Sequence, residues 1–255
     1  MHVVVAVRLV PDLTGELEIG EDGRSIDREW IDVKLNEFDD HALEEALQLK
    51  EKSGARVTAV ALDGDGVDRM LQTALARGAD AAVKIASDSD EAPSSRAAAP
   101  VIAAAARQLG ADLLFTGVQT PEDIFGQLAP FVGASLGWPH VSAVSGVRAV
   151  DGGIAVQQEF SAGITTTLQL ALPAVVGIQT ASRPIRYVSG TKLREAAGQK
   201  IATIEVDAAL AEDGATIVEM SLPARLGGAE MLGDDAKVVA GKIRALLVER
   251  GLVKA

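Results

Sequence analysis

Apolar runs that do not alternate, each followed by a segment of helical periodicity, restrict this chain more than any other feature. Residues 2–8 (HVVVAVR) and 56–62 (RVTAVAL) are continuous, as buried strands covered on both faces must be. A shorter run marks a strand over 111–116, and another strand falls at 81–86. The spacing predicts helices over 36–53, 66–77 and 96–109 between them. In the first, Phe38, Ala42, Ala46 and Leu49 share a face, Gly54 ends the run, and Asn36 is placed to cap the start by accepting from the N–H near Asp39. Gly78 closes the second. Residues 15–33 read as a hairpin excursion around Gly20-Glu21-Asp22-Gly23. The alternation of strand and helix predicts an α/β fold with a parallel sheet wound by right-handed crossovers.

After Pro139 the rhythm changes. Residues 141–149, 154–160, 164–172 and 174–180 are strand-like and are expected to extend the sheet with antiparallel strands. From Ala181 the pattern is irregular until an amphipathic helix near 234–250, apolar at Val239, Ile243, Leu246 and Leu247. The expected organisation is an α/β domain over 1–180 and an arm over 181–255. Such an arm suits a chain that wraps a partner; a helix folded back on its own core fits the pattern equally well.

Hydrophobic residues make up 48% of the 255 but aromatics only 3%, so the core must be built from Ala, Val, Leu and Ile. A net charge of -12 argues against nucleic acid and anionic membrane as partners. The absence of cysteine removes disulfides, thiolate zinc sites, cysteine-ligated clusters and cysteine nucleophiles. The N-terminal stretch lacks a signal-peptide core and no apolar run reaches membrane-spanning length, so a cytoplasmic or matrix-like protein without membrane insertion is expected.

Several motifs promise chemistry and do not sustain it. Gly133-Ala134-Ser135-Leu136-Gly137 matches the nucleophile elbow of hydrolases, but it closes a helix with no strand before it. Asp63, Asp65 and Asp68 resemble the front of a calcium loop without its distant glutamate; Asp65 or Gly66 as a helix N-cap is the better reading. The acidic loop 87–92 reads as solvated. His41 has no ligand partner one turn on. None of these residues is expected to be catalytic.

Two stretches survive. One is LFTGVQTPEDIFGQLAP, residues 114–130, where a strand ends in Thr116-Gly117, an acidic turn follows, and Gly126-Gln127-Leu128 opens a helix. The other is Asn36-Glu37-Phe38-Asp39. In a parallel sheet ligands collect beyond the carboxyl ends of the strands, and the loops after the first, second and fourth strands all open there. That edge is a nucleotide-sized crevice, although glycine spacing by itself is a generic loop feature.

Five segments in order resemble the β subunit of electron transfer flavoproteins. VAVRLVPD is similar to that family's VAVKQVPD opening, and LNEFDDHALEEALQLKEK to its N-P-F-D-E helix. LQTALARGADAAVKI, GVQTPEDIFGQLAPFVGASLGWP and LALPAVVGIQTASRPIRY each find a counterpart further on. The resemblance implies a Rossmann-like fold, similar to adenine nucleotide α-hydrolases, and an electron carrier working as an αβ heterodimer rather than a catalyst with acid–base residues. It implies FAD held mainly by the α subunit, and AMP or a second FAD in the β subunit's own site. Dehydrogenases and a quinone or ferredoxin oxidoreductase are the implied redox partners. By position, Ala6 and Leu62 would offer backbone to the nucleotide. Asn36, Phe38 and Asp39 would line the pocket, with Phe38 nearest the partner's flavin. Gly117, Gln119, Asp123 and Gln127 match the nucleotide loop, and Glu122 matches it conservatively.

Departures sharpen the comparison. Gly126-Gln127-Leu128 stands where housekeeping members have Asn-Gln-Thr, and Ile124 and Phe125 replace polar positions. The small-Gln-aliphatic pattern is nearer the bifurcating and nitrogen-fixation-linked branches, and a weakened or lost nucleotide site is one implication. In the partner-recognition loop, Arg186-Tyr187 is retained, but Gly190 stands at the docking leucine, with Leu193 beyond it. A partner different from the usual acyl-CoA dehydrogenases is therefore expected. The alternatives are a stand-alone ATP- or AMP-binding stress-type module and a family paralogue without nucleotide.

Overall fold

The valines of the first run are fully buried because the strand they form lies inside the sheet, with layers on both faces. The structure, a computed structural model, describes all residues except 16, 30, 88–92, 124, 213, 224–226 and 255. Its elements run β1 (His2–Ala6), β2 (Leu9–Pro11), β3 (Val33–Leu35), α1 (Glu37–Ser53), β4 (Arg56–Leu62), α2 (Val67–Arg77), β5 (Ala81–Ile85), α3 (Ser95–Gln108), β6 (Leu113–Gly117) and α4 (Leu128–Leu136). They continue with β7 (His140–Val150), β8 (Gly153–Glu159), β9 (Thr165–Ala171), β10 (Ala174–Ile178), α5 (Gly190–Ala197), β11 (Ala202–Ile204) and α6 (Ala236–Glu249).

Among the described residues the main sheet has nine strands in the order β11-β5-β4-β1-β6-β10-β7-β8-β9. The strands from β11 to β7 pair in parallel. Val3 and Val5 join a core with Leu43 and Leu47 of α1 and Leu71 of α2. Val4 and Ala6 face the opposite way, into a core with Ala98 and Ile102 of α3 and Val132 of α4. Alanine on these helices lets them approach the sheet closely, as the shortage of aromatics requires.

The region after Pro139 departs from expectation in one strand. β7, β8 and β9 form the expected antiparallel meander, but β10 returns to the parallel sheet between β6 and β7. Every residue of β10 (AVVGI) is buried, whereas β9 alternates between exposed and covered. A strand apolar on both faces belongs in the interior of the sheet. Bulges in the ladders of β7 and a left-handed Ala143 (φ 61°) bend that long strand beside the end of β10.

The excursion after β1 is a small sheet of its own, β2 antiparallel to β3, with an Ile19–Ile26 bridge further out. The segment after Ala181 is less irregular than its pattern reads: α5 packs Ala196 inward, and β11 adds a parallel edge strand to β5. The chain divides into a unit over Met1–Val218 and a second over Glu219–Ala255. In the second, Asp235 caps α6 through the N–H groups of Lys237 and Val238, and Val238, Ile243 and Leu246 are exposed. Among the described residues no helix is long and apolar enough to cross a membrane.

Candidate functional site

The strand order reverses between β1 and β6, whose neighbours on the outer sides are β4 and β10. At such a switch point the loops part and leave a crevice at the carboxyl ends of the strands. Here α1 begins. Asn36 is its N-cap, but its side chain makes no cap bond; the amide instead donates to the Gln119 carbonyl at 2.9 Å. The expected cap is thus replaced by a tie across the crevice. Long-range pairing competes with the local bond for one short side chain, and here it wins.

Asp39 is fully buried. Its carboxylate takes a two-pronged pair from Arg8, both contacts at 3.0 Å, and accepts the Gly117 N–H at 2.9 Å. A Cβ on Gly117 would lie 2.7 Å from the backbone of Phe38 and Asp39, so only glycine lets β6 end this close to α1. Asp39 is therefore a fastening of the crevice wall, with its oxygens committed inside the protein.

The loop after β6 is held by its own bonds. Thr120 and Asp123 exchange backbone hydrogen bonds, Thr120 Oγ1 also accepts the Asp123 N–H at 2.9 Å, and the Gly126 N–H reaches the Asp123 carbonyl. Glu122 pairs with Arg28 from the excursion. Gly126 adopts φ 64°, and a Cβ there would collide with the Val118 carbonyl oxygen. Gln127 is the N-cap of α4 and exposed, while Leu128 is 1% exposed and belongs to the core. Pro130 takes an N–H away from the first turn, which leaves few donors for an anion. Ile124 lies outside the described residues, as does most of the acidic loop 87–92.

Two hollows open at this edge. One, of about 300 Å³, is lined by Phe38, Val118, Gln119, Phe125 and Gly126, with Ser142, Ala143 and Gln179 from the bent end of the sheet. The other, of about 570 Å³, lies beyond β4 and β5 and is lined by Asp63, Gly64, Asp65, Gly66, Asp68, Lys84 and Ser87. Lys84 bridges Asp63 at 3.0 Å and Asp68 at 3.1 Å, and the hydrogen bonds its ammonium donates to these carboxylates raise its pKa above the ordinary value. Leu62 is half-buried at the end of β4, and Ala6 is 2% exposed, so each can offer a ligand little more than backbone.

The rejected motifs have structural work. Gly133 gives way to the His140 ring, which a Cβ would meet at 2.7 Å, and Gly137 is the left-handed C-cap of α4. Gly66 caps α2. His41 Nδ1 accepts the Ala181 N–H at 3.2 Å. Among the described residues no cluster of His, Cys, Asp and Glu could hold a metal ion.

Residues 25–210 match the electron transfer flavoprotein domain, which is most of the chain. The chain belongs to the electron transfer flavoprotein family. It is 28% identical to the electron transfer flavoprotein subunit beta of Methylophilus methylotrophus, over 98% of both chains. It is 31% identical to that of Syntrophomonas wolfei over 95% of this chain and 94% of the relative. Protein FixA of Azorhizobium caulinodans is 30% identical over 73% of this chain and 68% of its own length.

In this electron transfer flavoprotein chain the segment read as partner-recognising is tethered from inside. Three buried polar residues of α1, Glu44, Glu45 and Gln48, face it. Glu45 accepts N–H groups from Val147 and Ser182 at 2.7 and 2.8 Å, and Gln48 accepts the Ser182 hydroxyl at 2.8 Å. Arg186 embraces Glu44 through side chain and backbone and reaches Glu51. Burial would push the Glu44 carboxyl up, but the Arg186 bonds outweigh it and hold the pKa below its ordinary value. Tyr187, next in sequence, is 91% exposed. Gly190 starts α5, and Leu193 lies on it, also exposed. The polar face of α1 was missed in the sequence; the signal was there in Glu44, Glu45 and Gln48, crowded between Ala42, Ala46 and Leu49. Arg8 was missed because its partner lies across the excursion.

Proposed function

We propose that this chain is the β subunit of an αβ electron transfer flavoprotein that binds an adenine nucleotide in its own crevice and works in the cytoplasm. The observation that carries the nucleotide reading is the convergence of the loops after β1, β4 and β6 where the strand order reverses. The lining fits part of a nucleotide better than the whole. Carboxylates of Asp63, Asp65 and Asp68 accept from sugar hydroxyls, but with Lys84 as their one cation they leave a local charge that opposes phosphate. Backbone of Ala6 and Leu62 serves the base, and Gly117, Gln119, Glu122, Asp123, Gly126 and Gln127 shape the loop beside it. Leu128 acts through its main chain, its side chain being in the core. Asn36 and Asp39 fix the wall that presents Phe38.

FAD, held mainly by the α partner, supplies the electron chemistry when bound. This chain positions Phe38 toward it and presents Arg186, Tyr187, Gly190 and Leu193 to a dehydrogenase, or to a quinone or ferredoxin oxidoreductase. The exposed apolar residues of α6 and its flanks support an arm that covers a partner. Co-expression with an α chain, heat release and chromatography of the supernatant test the reading. AMP or FAD with a co-purifying α chain supports it. ATP without flavin or partner would point to the stand-alone module, and a nucleotide-free complex to a paralogue that keeps only the carrier role.

A further inference from the structure

Residues 181–186 cross α1 without help from other backbone: among the described residues, none of their main-chain groups bonds to main chain elsewhere. One stripe of α1 side chains holds them instead. His41 and Glu45 accept the N–H groups of Ala181 and Ser182, Gln48 accepts the Ser182 hydroxyl, and Glu44 and Glu51 take Arg186. These positions recur at three and four residues, so they share one helix face. Beyond the last contact Tyr187 and Leu193 are exposed. The chain is fastened again where α5 buries Ala196 and where Gln72 of α2 donates to the carbonyls of Ala197 and Gln199 at 3.1 and 3.0 Å.

Glu44 stands between two guanidinium groups. Arg186 gives it the edge formed by Nε and Nη2, each donating at 2.9 Å. Arg77, at the end of α2, commits Nη1 to Asp40 and holds Nη2 3.5 Å from Glu44. Its Nε is buried and has no partner, an arrangement that costs free energy. Arg77 thus keeps open the same two-donor edge that Arg186 uses. A carboxylate leaving Arg186 finds a second fork beside it, so its release strands no buried charge. Arg186, whose side chain is 27% exposed, passes to water and Glu51. We propose that Glu44 exchanges between Arg186 and Arg77, and that this exchange is a latch on the segment crossing α1. With Arg186 engaged, Tyr187 is presented in one position. With Arg77 engaged, the segment lifts while α5 stays on α2. Glu44 and Arg77 are thus positioning residues. The inference rests on the docking reading of Tyr187 and Leu193 only for what the movement serves.

Hydrogen exchange of the full-length chain at neutral pH tests the latch. The amides of Ala181, Ser182 and Arg186 report it, since α1 side chains accept all three. Arg186→Gln should speed their exchange about tenfold and leave β1 and β4 protected. Its melting temperature should fall less than that of Glu44→Gln, because Glu44 passes to Arg77. Arg77→Gln removes the alternative and should leave the three amides at least as protected as in wild type. Removing both arginines leaves Glu44 buried without a cation. The double variant should therefore lose more melting temperature than the two single losses added. If Arg77→Gln does not fold, Arg77→Lys, which keeps a charge for Asp40 without the fork, takes its place in both measurements. The proposal is overturned if Arg186→Gln leaves the three amides as protected as in wild type, if loss of the Arg77 fork deprotects them, or if the two losses are additive. Failure of the carrier reading is seen separately, as a wild-type chain that recruits no flavin-bearing α chain.

Discussion

Asp39 and Gly117 join the start of α1 to the end of β6, the Gly117 N–H donating to Asp39 Oδ1 at 2.9 Å where no Cβ could fit. The crevice wall is therefore one rigid piece made from residues far apart in sequence. Gly117→Ala should force the helix start away and lower stability by about 1–3 kcal/mol in denaturant titration. Asp39→Ala strands Arg8 without its buried partner and should lower it by about 3–5 kcal/mol. Stability unchanged in both variants would mean that the joint is not what holds the wall.

Glu44 and Arg186 make the second long-range tie, and its pH dependence has a definite sign. The Glu44 carboxyl is held below its ordinary value of 4.5. Its contribution is complete above that value and fades as pH falls below it through the folded pKa. Glu44→Gln should therefore be less stable than wild type by about 1.5–3 kcal/mol at neutral pH. The two should converge as the solution is acidified below 4.5. A difference that stays constant across the acid range would show that the charge of Glu44 is not involved.

The contrast between these ties and the strands shows what a sequence carries. Val3, Val4 and Val5 are readable as a buried strand because covering both faces demands an unbroken apolar run. The place of β10 is not readable: AVVGI records burial but not which neighbours provide it, and the chain inserts it beside β6 after building β7 to β9. The edge of the crevice follows from strand order, so its location was legible while its lining was not. Asn36 could be recognised at the start of a helix, but the choice between its local cap and Gln119 is decided by distant backbone. Phe125 stood out in the sequence only as a lost polar residue; that it lines one hollow with Phe38 and Gln179, both distant in the chain, was not readable there.

Leu128 separates a structural residue from a binding one. It is the first residue of α4, next to the loop proposed to hold the nucleotide, and its side chain is in the core with Leu114 and Val132. Leu128→Ala should lower stability by about 2–5 kcal/mol, the range for truncating a buried leucine. Below its unfolding transition the variant should keep the nucleotide content of wild type by chromatography. Loss of nucleotide without loss of stability would return the side chain to the site.

Asp65 is exposed on the rim of the larger hollow, where Lys84 is already shared between Asp63 and Asp68. If these carboxylates oppose phosphate, Asp65→Asn should tighten AMP binding in calorimetry at low ionic strength. Adenosine affinity should not change, and the AMP gain should shrink as salt is added. Equal gains for AMP and adenosine would exclude the electrostatic explanation.

The unit over Met1–Val218 contains both hollows, the Glu44–Arg186 tie and the whole main sheet. The unit over Glu219–Ala255 holds α6, whose Ile243 and Leu246 are exposed. A chain ending at Val218 should therefore fold, with far-ultraviolet circular dichroism and a cooperative melt close to those of the full chain. If the arm covers an α partner, the same chain should fail to retain that partner through gel filtration, because the apolar side chains that bury against it are gone. Replacing Ile243 and Leu246 by serine in the full chain should weaken the complex in the same direction while leaving the melt of the first unit unchanged. A truncated chain that still co-elutes with the α partner at full stoichiometry would place the subunit contact on the α/β unit instead.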